Sequence, residues 1–540
     1  MKPDLVIRNG TVFDGTGDDG VAMDVAVAGG FVVACGDVAA TDCPEVDATG
    51  LFVAPGFIDV HSHSDYTLLV DPRAVSALHQ GVTLEVIGNC GHGCFPIRDP
   101  ELARKAIYGY SDEVELNWRT AAEYFERLEA AGPAVNVISL VPNGQLRLST
   151  VGLVDRRAEE DELQRMSELL QEALADGAWG LSTGLEYAPE AGATEEEIAS
   201  LCRSVVAVDG LYATHTRRRD DGAADAVEEA IRVAERAGVR LQVSHLLPRN
   251  GLDEGMRCIE LVERARERGL DVAFDMHTRA FGLTHLYAAL PGWVLAASRD
   301  ELSQALRDPA TRAEMKVHDT ILSAGGDWSR VVLLDNPIWP QYARRDLASI
   351  AAERCQNPLD AVYDLMLESV DDLHNLMVII DCYSEEQQRH VFSHPLCMPA
   401  SDATTLAIDG PLAGSSFHGA YTWASWFYRF MVREHGLLSP QEAIHRLTAL
   451  PASRLRLGDR GVLRPRARAD VVVFDPDRYG ERATKFDPSQ LAEGVVHVVV
   501  NGTLALTDGV LTQTRNGHVV RRNGAAETGD STALRRASEA

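Results

Sequence analysis

Lysine is nearly absent from this 540-residue chain. Its four lysines are Lys2, Lys105, Lys316 and Lys485. Positive charge is scarce overall, because 51 Lys and Arg face 80 Asp and Glu, which gives a formal net charge of −29. Nucleic acids and anionic membranes are bound through basic surfaces. We therefore expect neither a nucleic-acid nor a membrane partner, and we interpret the acidic surface as an aid to solubility.

Long apolar runs and a cysteine framework are missing as well. No stretch approaches the roughly 18 consecutive apolar residues that a membrane-spanning helix needs. The opening sequence, MKPDLVIRNG, lacks the basic segment and apolar run of a signal peptide. The nine cysteines are odd in number and scattered, which is not the pattern of a disulfide-stabilised secreted protein. We expect a cytoplasmic location.

Short strand-like runs separated by turn signals dominate both ends of the chain. They fill residues 1–54 and recur in residues 461–520, where the run Val495–Val500 precedes an Asn-Gly pair. Two strand-rich ends around a long middle segment predict one small β-sandwich domain built from both ends. The last segment, 521–540, is rich in small and charged residues and is predicted to be a flexible tail.

The middle of the chain, residues 55–460, alternates apolar strand-like runs with helical periodicity. Helices are predicted at Asp161–Ala175 and Ala223–Gly238, among runs such as Val135–Leu140 and Leu241–Ser244. This alternation predicts an α/β fold of parallel strands covered by helices. In barrels of this class the active site lies at the carboxyl ends of the strands. Polar residues that directly follow the apolar runs are therefore the candidates for function.

The strongest local signal is the pair His61 and His63, which follows the run at residues 54–60. Residues two apart in an extended strand point to the same side. Both imidazoles can therefore bind one metal ion, and neutral imidazole is a good zinc ligand. An H-x-H pair alone is a weak signal, and the strand-like run before it makes this one stronger.

A second candidate ligand is Cys90, within the sequence GNCG at 88–91. A thiolate at a strand end can bind zinc or bridge two zinc ions. The alternative is a small buried cysteine that only packs, and the histidine pair one unit earlier favours the metal ligand. His92 and Cys94 are weaker candidates, because the glycines beside them would turn their side chains elsewhere.

Three further polar residues end strand-like runs. They are His215, His245 and Asp402. A lone histidine at such a place is usually a core residue, but two on consecutive strands after an H-x-H pair predict metal ligands. A carboxylate at a late strand end can take a proton from water and pass it to a leaving nitrogen. Asp402 is therefore the predicted general acid/base.

Together these segments resemble the amidohydrolase superfamily and, within it, the N-acyl-D-amino-acid deacylases, or D-aminoacylases. The matching segments are APGFIDVHSHSD at 54–65, GVTLEVIGNCG at 81–91, GAWGLSTGLEYAP at 177–189, YATHTR at 212–217, QVSHL at 242–246, SD at 401–402, LTALPASRLRLGDRG at 447–461 and ADVVVFDP at 469–476. The resemblance covers nearly the whole chain. It implies a (β/α)8 TIM-like barrel with a small β-sandwich domain formed from both chain ends.

The resemblance also implies an arrangement of ligands. His61 and His63 would serve one metal position, and Cys90, His215 and His245 the other, with Cys90 able to bridge. Many superfamily members bridge their metals with a carbamylated lysine, and the scarcity of lysine favours Cys90 in that role. The expected cofactor is Zn²⁺, with one ion bound tightly and a second position left open.

Departures from the D-aminoacylase pattern fall in the expected substrate pocket. The predicted substrate-binding residues are Asn143, Tyr187, Leu247, His277, Arg279 and Ala420. In the family, the Lys, Tyr and Arg of the S-H-x-K, D-x-Y-P-Y and H-P-R motifs contact the substrate carboxylate. This chain has Leu247, His277 and Ala420 at those places, and Asn143 ends the segment that usually reads V-G-H. Alanine cannot replace a bidentate arginine clamp, so Arg279 is the candidate for a substitute.

We therefore predict a zinc-dependent amidohydrolase that hydrolyses an amide C–N bond in an N-acyl amino acid or a related N-acyl amide, with an altered substrate pocket. One alternative is a hydrolase of a cyclic amide, carbamate or ester. Another is a catalytically inactive scaffold of the same fold, but inactive relatives lose ligands and all five are present here. The expected partner is a small-molecule substrate, and a homo-oligomer is left open.

Overall fold

The computed structural model describes most of the chain, and contacts divide it into two compact units. The described residues are 2–40, 42–104, 107–249, 251–291, 294, 298–317, 322, 326–373 and 376–522. The main unit comprises Met1–Pro248, Asp253–Thr278 and Arg389–Ala540, and the inserted unit comprises Arg249–Leu252 and Arg279–Gln388. The predicted tail lies outside the described residues from position 523 onward. The domain boundaries inferred from the sequence stay a prediction.

Twenty-one strands are assigned within the described residues. In chain order they are β1 (Leu5–Val12), β2 (Val21–Ala28), β3 (Phe31–Gly36), β4 (Glu45–Asp47), β5 (Phe52–Pro55), β6 (Phe57–Asp59), β7 (Val82–Ile87), β8 (Asn136–Ser139), β9 (Val141–Pro142), β10 (Gly180–Gly184), β11 (Leu211–His215), β12 (Arg240–Val243), β13 (Val272–His277), β14 (Phe281–His285), β15 (Val331–Leu333), β16 (Met377–Asp381), β17 (Cys397–Ala400), β18 (Val471–Phe474), β19 (Val495–Val500), β20 (Thr503–Thr507) and β21 (Val510–Leu511).

Helices alternate with the strands of the middle segment. The α-helices are Thr67–Val70, Val75–Leu78, Pro100–Ala103, Ala121–Ala131, Asn143–Thr150, Glu160–Ala175, Glu195–Ala207, Ala223–Ala237, Leu252–Glu267, Arg299–Arg307, Pro309–Met315, Leu347–Glu353, Pro358–Glu368, Glu385–Ser393, Gly419–Tyr428, Pro440–Leu447 and Ala449–Arg454. The two helices predicted from periodicity are confirmed to within a residue at each end. A capping box between Glu159 and Glu162 begins the first of them, and Gly238, in the left-handed region, ends the second.

One nine-stranded sheet contains strands from both ends of the chain. Its order is β21-β20-β19-β18-β5-β1-β2-β3, with β4 paired to β1. The two ends meet where β5 pairs antiparallel with β18, with Val53 opposite Val473. Alternate valines on these strands point into a common apolar core. Both chain ends therefore enter one sheet, while the two-layer β-sandwich form stays a prediction.

The strands of the middle segment are parallel, as the alternation with helices predicts. They form a six-stranded sheet, β17-β13-β12-β11-β10-β9, and a three-stranded sheet, β6-β7-β8. Backbone hydrogen bonds continue between the sheets, from Trp179, directly before β10, to Ser139 of β8 (2.9 Å) and from Asp402 to His61 (2.9 Å). A parallel bridge also pairs Ser62 with Ala403. Within the described residues these ladders do not join into one closed sheet.

A cluster of buried side chains fixes the parallel strands relative to one another. It includes Ile58 of β6, Val86 of β7, Ile138 of β8, Ala213 of β11 and Met398 of β17. Strand β7 is buried along its whole length, as is usual for parallel strands covered on both faces. The packing brings the residues that follow the carboxyl ends of these strands to one side of the fold.

The inserted unit has its own small sheet, in which β16 pairs antiparallel with β14 and with β15. Helices such as Pro358–Glu368 accompany it. Among the described residues, no helix of either unit combines the length and the apolar character needed to cross a membrane.

Candidate metal centre

The six residues predicted as metal ligands and acid/base all lie at or just after the carboxyl ends of parallel strands. His61 and His63 follow β6, Cys90 follows β7, His215 ends β11, His245 follows β12 and Asp402 follows β17. Each of the five ligands is buried, and the Asp402 side chain is 17% exposed. A hydrophobic strand thus presents each polar side chain at the edge where the strands end.

Four of these side chains form a first cluster around Cys90. The Nε2 atom of His61 lies 3.1 Å from the Cys90 sulfur and 3.5 Å from Oδ1 of Asp402. The Nε2 atom of His63 lies 3.3 Å from the same carboxylate oxygen. One donor atom from each of the four residues lies within 4.8 Å of the others, so a single ion could be held among them.

Cys90 also belongs to a second cluster, with His215 and His245. Its sulfur lies 3.5 Å from Nε2 of His245, and the three donor atoms lie within 4.8 Å of one another. The thiolate is therefore common to both clusters, as a bridging ligand would be. His92 and Cys94, the weaker candidates, belong to neither cluster.

Three residues of the centre have left-handed backbone conformations. The φ angles are 52° at Cys90, 34° at His245 and 44° at Asp402. Such conformations are uncommon for residues other than glycine and cost on the order of 1–3 kcal/mol each. Strain of this kind persists where the surrounding fold imposes it, and it concentrates at functional sites. All three residues lie two or three positions beyond the end of a parallel strand.

The electrostatics favour a thiolate at Cys90. Burial acts to raise the pKa of the Cys90 thiol, but the adjacent His61 and His245 hold it well below its usual value. Burial and the nearby Arg219 lower the pKa of His245 to about 4. Burial alone would also lower the pKa of His63, but Asp402 and Cys90 raise it to about 9. Metal binds to thiolate and neutral imidazole, so an ion at this centre would displace the proton that a pKa of about 9 keeps on His63 near neutral pH.

The donor set fits zinc. Zinc takes thiolate, imidazole and carboxylate ligands, and its catalytic sites keep one position open. The first cluster offers two imidazoles, the Cys90 thiolate and the Asp402 carboxylate, and the second offers the same thiolate with two imidazoles. Each set of side chains therefore fits a zinc ion.

Two of the predicted substrate-binding residues contact the centre. The Tyr187 hydroxyl lies 3.2 Å from Nδ1 of His215, and Nε2 of His277 lies 3.9 Å from Oδ2 of Asp402. Asn143 is buried, and its side chain donates a hydrogen bond to the carboxylate of Glu190 (2.7 Å).

The other three predicted substrate-binding residues are all buried. Leu247 is buried with its side chain against Gly255. Ala420 belongs to an apolar cluster with Val75 and Tyr421. Arg279 is buried and belongs to the inserted unit. Their substrate contacts stay predictions.

The structure adds residues that the sequence did not single out. Asp275 accepts hydrogen bonds from His61 and from the backbone of His245. Glu186 lies 2.8 Å from Nε2 of His215, and the ring of Tyr108 stacks on His63. The one available signal was for Asp275, a carboxylate inside the otherwise apolar run of β13.

Comparisons with known proteins identify the family of this chain. A model of the amidohydrolase family matches residues 44–505. N-acyl-D-aspartate deacylase from Alcaligenes xylosoxydans xylosoxydans is 32% identical over 93% of this chain and 91% of its own length. N-acyl-D-glutamate deacylase from the same organism is 31% identical over 97% of both chains.

A solved structure is similar over the same extent. It is N-acyl-D-glutamate deacylase from Bordetella bronchiseptica, complexed with zinc and a phosphonate inhibitor that mimics the tetrahedral intermediate. The two share 30% identity and a TM-score of 0.79, with 96% of this chain and 100% of that one covered. The chain therefore belongs to the amidohydrolase family and resembles its N-acyl-D-amino-acid deacylases along nearly its whole length.

Proposed function

We propose that this protein is a zinc-dependent hydrolase of an amide C–N bond in an N-acylated amino compound. The observation that carries the proposal is the pair of donor clusters sharing Cys90, with the Asp402 carboxylate beside them. His61, His63, Cys90, His215 and His245 would hold the metal. When bound, zinc would polarise the scissile carbonyl and lower the pKa of water at the site.

Asp402 is the proton carrier of this proposal. Its carboxylate lies 3.3 Å from His63 and 3.9 Å from His277. It is the most exposed member of the first cluster, so a substrate can reach it. A carboxylate so placed accepts a proton from the attacking water and delivers it to the leaving nitrogen. His277 places a second imidazole beside the same carboxylate.

The finer features of the fold belong to the same proposal. We propose that the two parallel sheets close into a (β/α)8 barrel. The proposal is supported by the parallel bridge between Ser62, which follows β6, and Ala403, which follows β17, and by the backbone hydrogen bonds around it. We also propose that residues 1–54 and 461–520 form the β-sandwich domain, supported by their shared sheet. The cytoplasmic location and the oligomeric state stay predictions from the sequence.

The substrate is proposed to be an amide that lacks a free carboxylate at the family's usual position. The relatives are named for N-acyl-D-aspartate and N-acyl-D-glutamate, but this chain has Leu247 and Ala420 where the family carries cationic side chains. Glu186, 2.8 Å from His215, adds negative charge next to the centre. Burying a carboxylate without a cationic partner is costly. Neutral or bulkier amides should therefore react faster than N-acetyl-D-amino acids.

A matched substrate pair tests this proposal. One member is an N-acyl-D-amino acid and the other is its carboxamide, and kcat/KM is measured for both with the zinc-loaded enzyme. We expect the carboxamide to be preferred. A strong preference for the free acid that Arg279→Ala abolishes would contradict the proposal and identify Arg279 as the carboxylate clamp. Hydrolysis of neither, with a cyclic amide, carbamate or ester accepted instead, would contradict the proposed bond.

A further inference from the structure

Asp275 occupies a central position beneath the two clusters. It lies on β13, and its side chain is 1% exposed. Its Oδ1 atom accepts a hydrogen bond from Nδ1 of His61 (3.0 Å) and another from the backbone N–H of His245 (2.8 Å). Its Oδ2 atom accepts a hydrogen bond from the Gln242 amide (2.9 Å). Three bonds thus hold a fully buried carboxylate between a ligand of each cluster.

The contact with His61 determines which ring nitrogen can bind metal. A carboxylate can only accept, so the proton of the neutral imidazole resides on Nδ1. The lone pair is then on Nε2, which faces the Cys90 sulfur at 3.1 Å. A carboxylate on the far side of a metal-binding histidine also increases the basicity of the ring. Asp275 therefore fixes both the tautomer and the orientation of His61.

The contact with His245 supports a strained backbone. His245 has a φ of 34°, which is unfavourable for a residue with a Cβ atom. Its N–H group donates a hydrogen bond to the side chain of Asp275 and not to a backbone carbonyl of a neighbouring strand. Without that bond, the residue would lose one of the interactions that keep its side chain aimed at Cys90.

We propose that Asp275 is a positioning residue for the ligands of both metal positions at once, so that a change at this one carboxylate weakens metal binding at both. The inference rests on the proposed metal-dependent function. The inference goes beyond that function by assigning to one buried residue a role that links His61 of the first cluster to His245 of the second.

The test compares Asp275→Asn with a matched control, Asp59→Asn. Asp59 is also buried, but it accepts its hydrogen bond from the backbone N–H of His61 (3.2 Å) and not from the ring, and it accepts another from the backbone N–H of Ser401 (3.1 Å). Zinc affinity is measured by competition with a chromophoric chelator, and the visible absorption of Co²⁺-loaded protein reports ligand geometry. We expect Asp275→Asn to weaken binding at both positions by about 10–100-fold and to alter the Co²⁺ spectrum. Asp59→Asn should leave both unchanged, whatever it does to thermal stability.

A second variant serves if Asp275→Asn does not fold. Gln242→Met removes only the donor to Oδ2, so the carboxylate remains but can rotate. We expect a smaller loss of zinc affinity that again affects both positions. Unchanged affinity, or a loss at one position alone, overturns the inference. A wild-type chain that binds no zinc would overturn the proposed function as well, whereas normal binding by wild type and both variants overturns this inference only.

Discussion

Replacing Asp402 with asparagine removes a proton carrier from the centre while preserving its shape. Asp402 has a φ of 44°, and asparagine tolerates the left-handed region better than other non-glycine residues. Its backbone N–H donates to the carbonyl of His61 (2.9 Å), a bond that the substitution leaves intact. Asp402→Asn should therefore fold normally, and any defect should reflect the lost carboxylate.

The size of the effect follows from the proposed role. Removal of a general acid/base typically lowers the rate by about 10²–10⁴-fold, which corresponds to roughly 3–5 kcal/mol of transition-state stabilisation. Metal binding should change little, because the five histidine and cysteine ligands remain. We expect kcat/KM to fall by that factor while the zinc content of the purified protein stays near the wild-type value.

The assay pairs steady-state kinetics with elemental analysis on the same preparation. Asp402→Ala is the control, since it also removes the carboxylate but places a Cβ-bearing residue without a polar side chain in the left-handed region, which costs about 1–2 kcal/mol. It should match Asp402→Asn in rate and fall below it in melting temperature. Near-normal turnover by Asp402→Asn would refute the proton-transfer role, and loss of zinc would make Asp402 chiefly a ligand.

Two further predictions concern buried groups near the centre. Cys90→Ser replaces a thiolate by a poor ligand and should weaken metal binding. Cys90→Asp keeps an anion at the same place, so the loss of metal affinity should be smaller. If both variants bind metal like wild type, Cys90 is a packing residue and not a ligand. Burial raises the pKa of Glu190 to about 8, despite the hydrogen bond from Asn143. Since its usual value is 4.5, the folded chain holds an extra proton between about pH 4.5 and 8 and loses stability as the pH rises through that window. Glu190→Gln removes this dependence, so its melting temperature relative to wild type should increase from pH 5 to pH 8; a constant difference would contradict the assignment.

The features that could be predicted from the sequence are those that depend on short local patterns of residues. An apolar run followed by a histidine, cysteine or aspartate identifies a strand end, and the packing of parallel strands then brings such residues together. His61, Cys90 and Asp402 could therefore be identified without coordinates. The joining of both chain ends in one sheet could also be predicted from local patterns, because both ends contain short strand-like runs separated by turn signals.

What the sequence did not predict depends on contacts between distant residues. Asp275 and His61 are 214 positions apart, and the sequence around either residue does not indicate contact with the other. The inserted unit was also missed, because its short strands and helices have the same periodicity as the α/β segment around it.

The most direct test of zinc-dependent hydrolysis is removal and restoration of the metal. Purified protein is analysed for metal, treated with a chelator, assayed on the best amide substrate, and assayed again after titration with Zn²⁺. We expect at least one zinc per chain before treatment, loss of activity with the metal, and recovery in proportion to the zinc restored. Full activity in protein that contains less than about a tenth of an equivalent of any transition metal would contradict the proposed function.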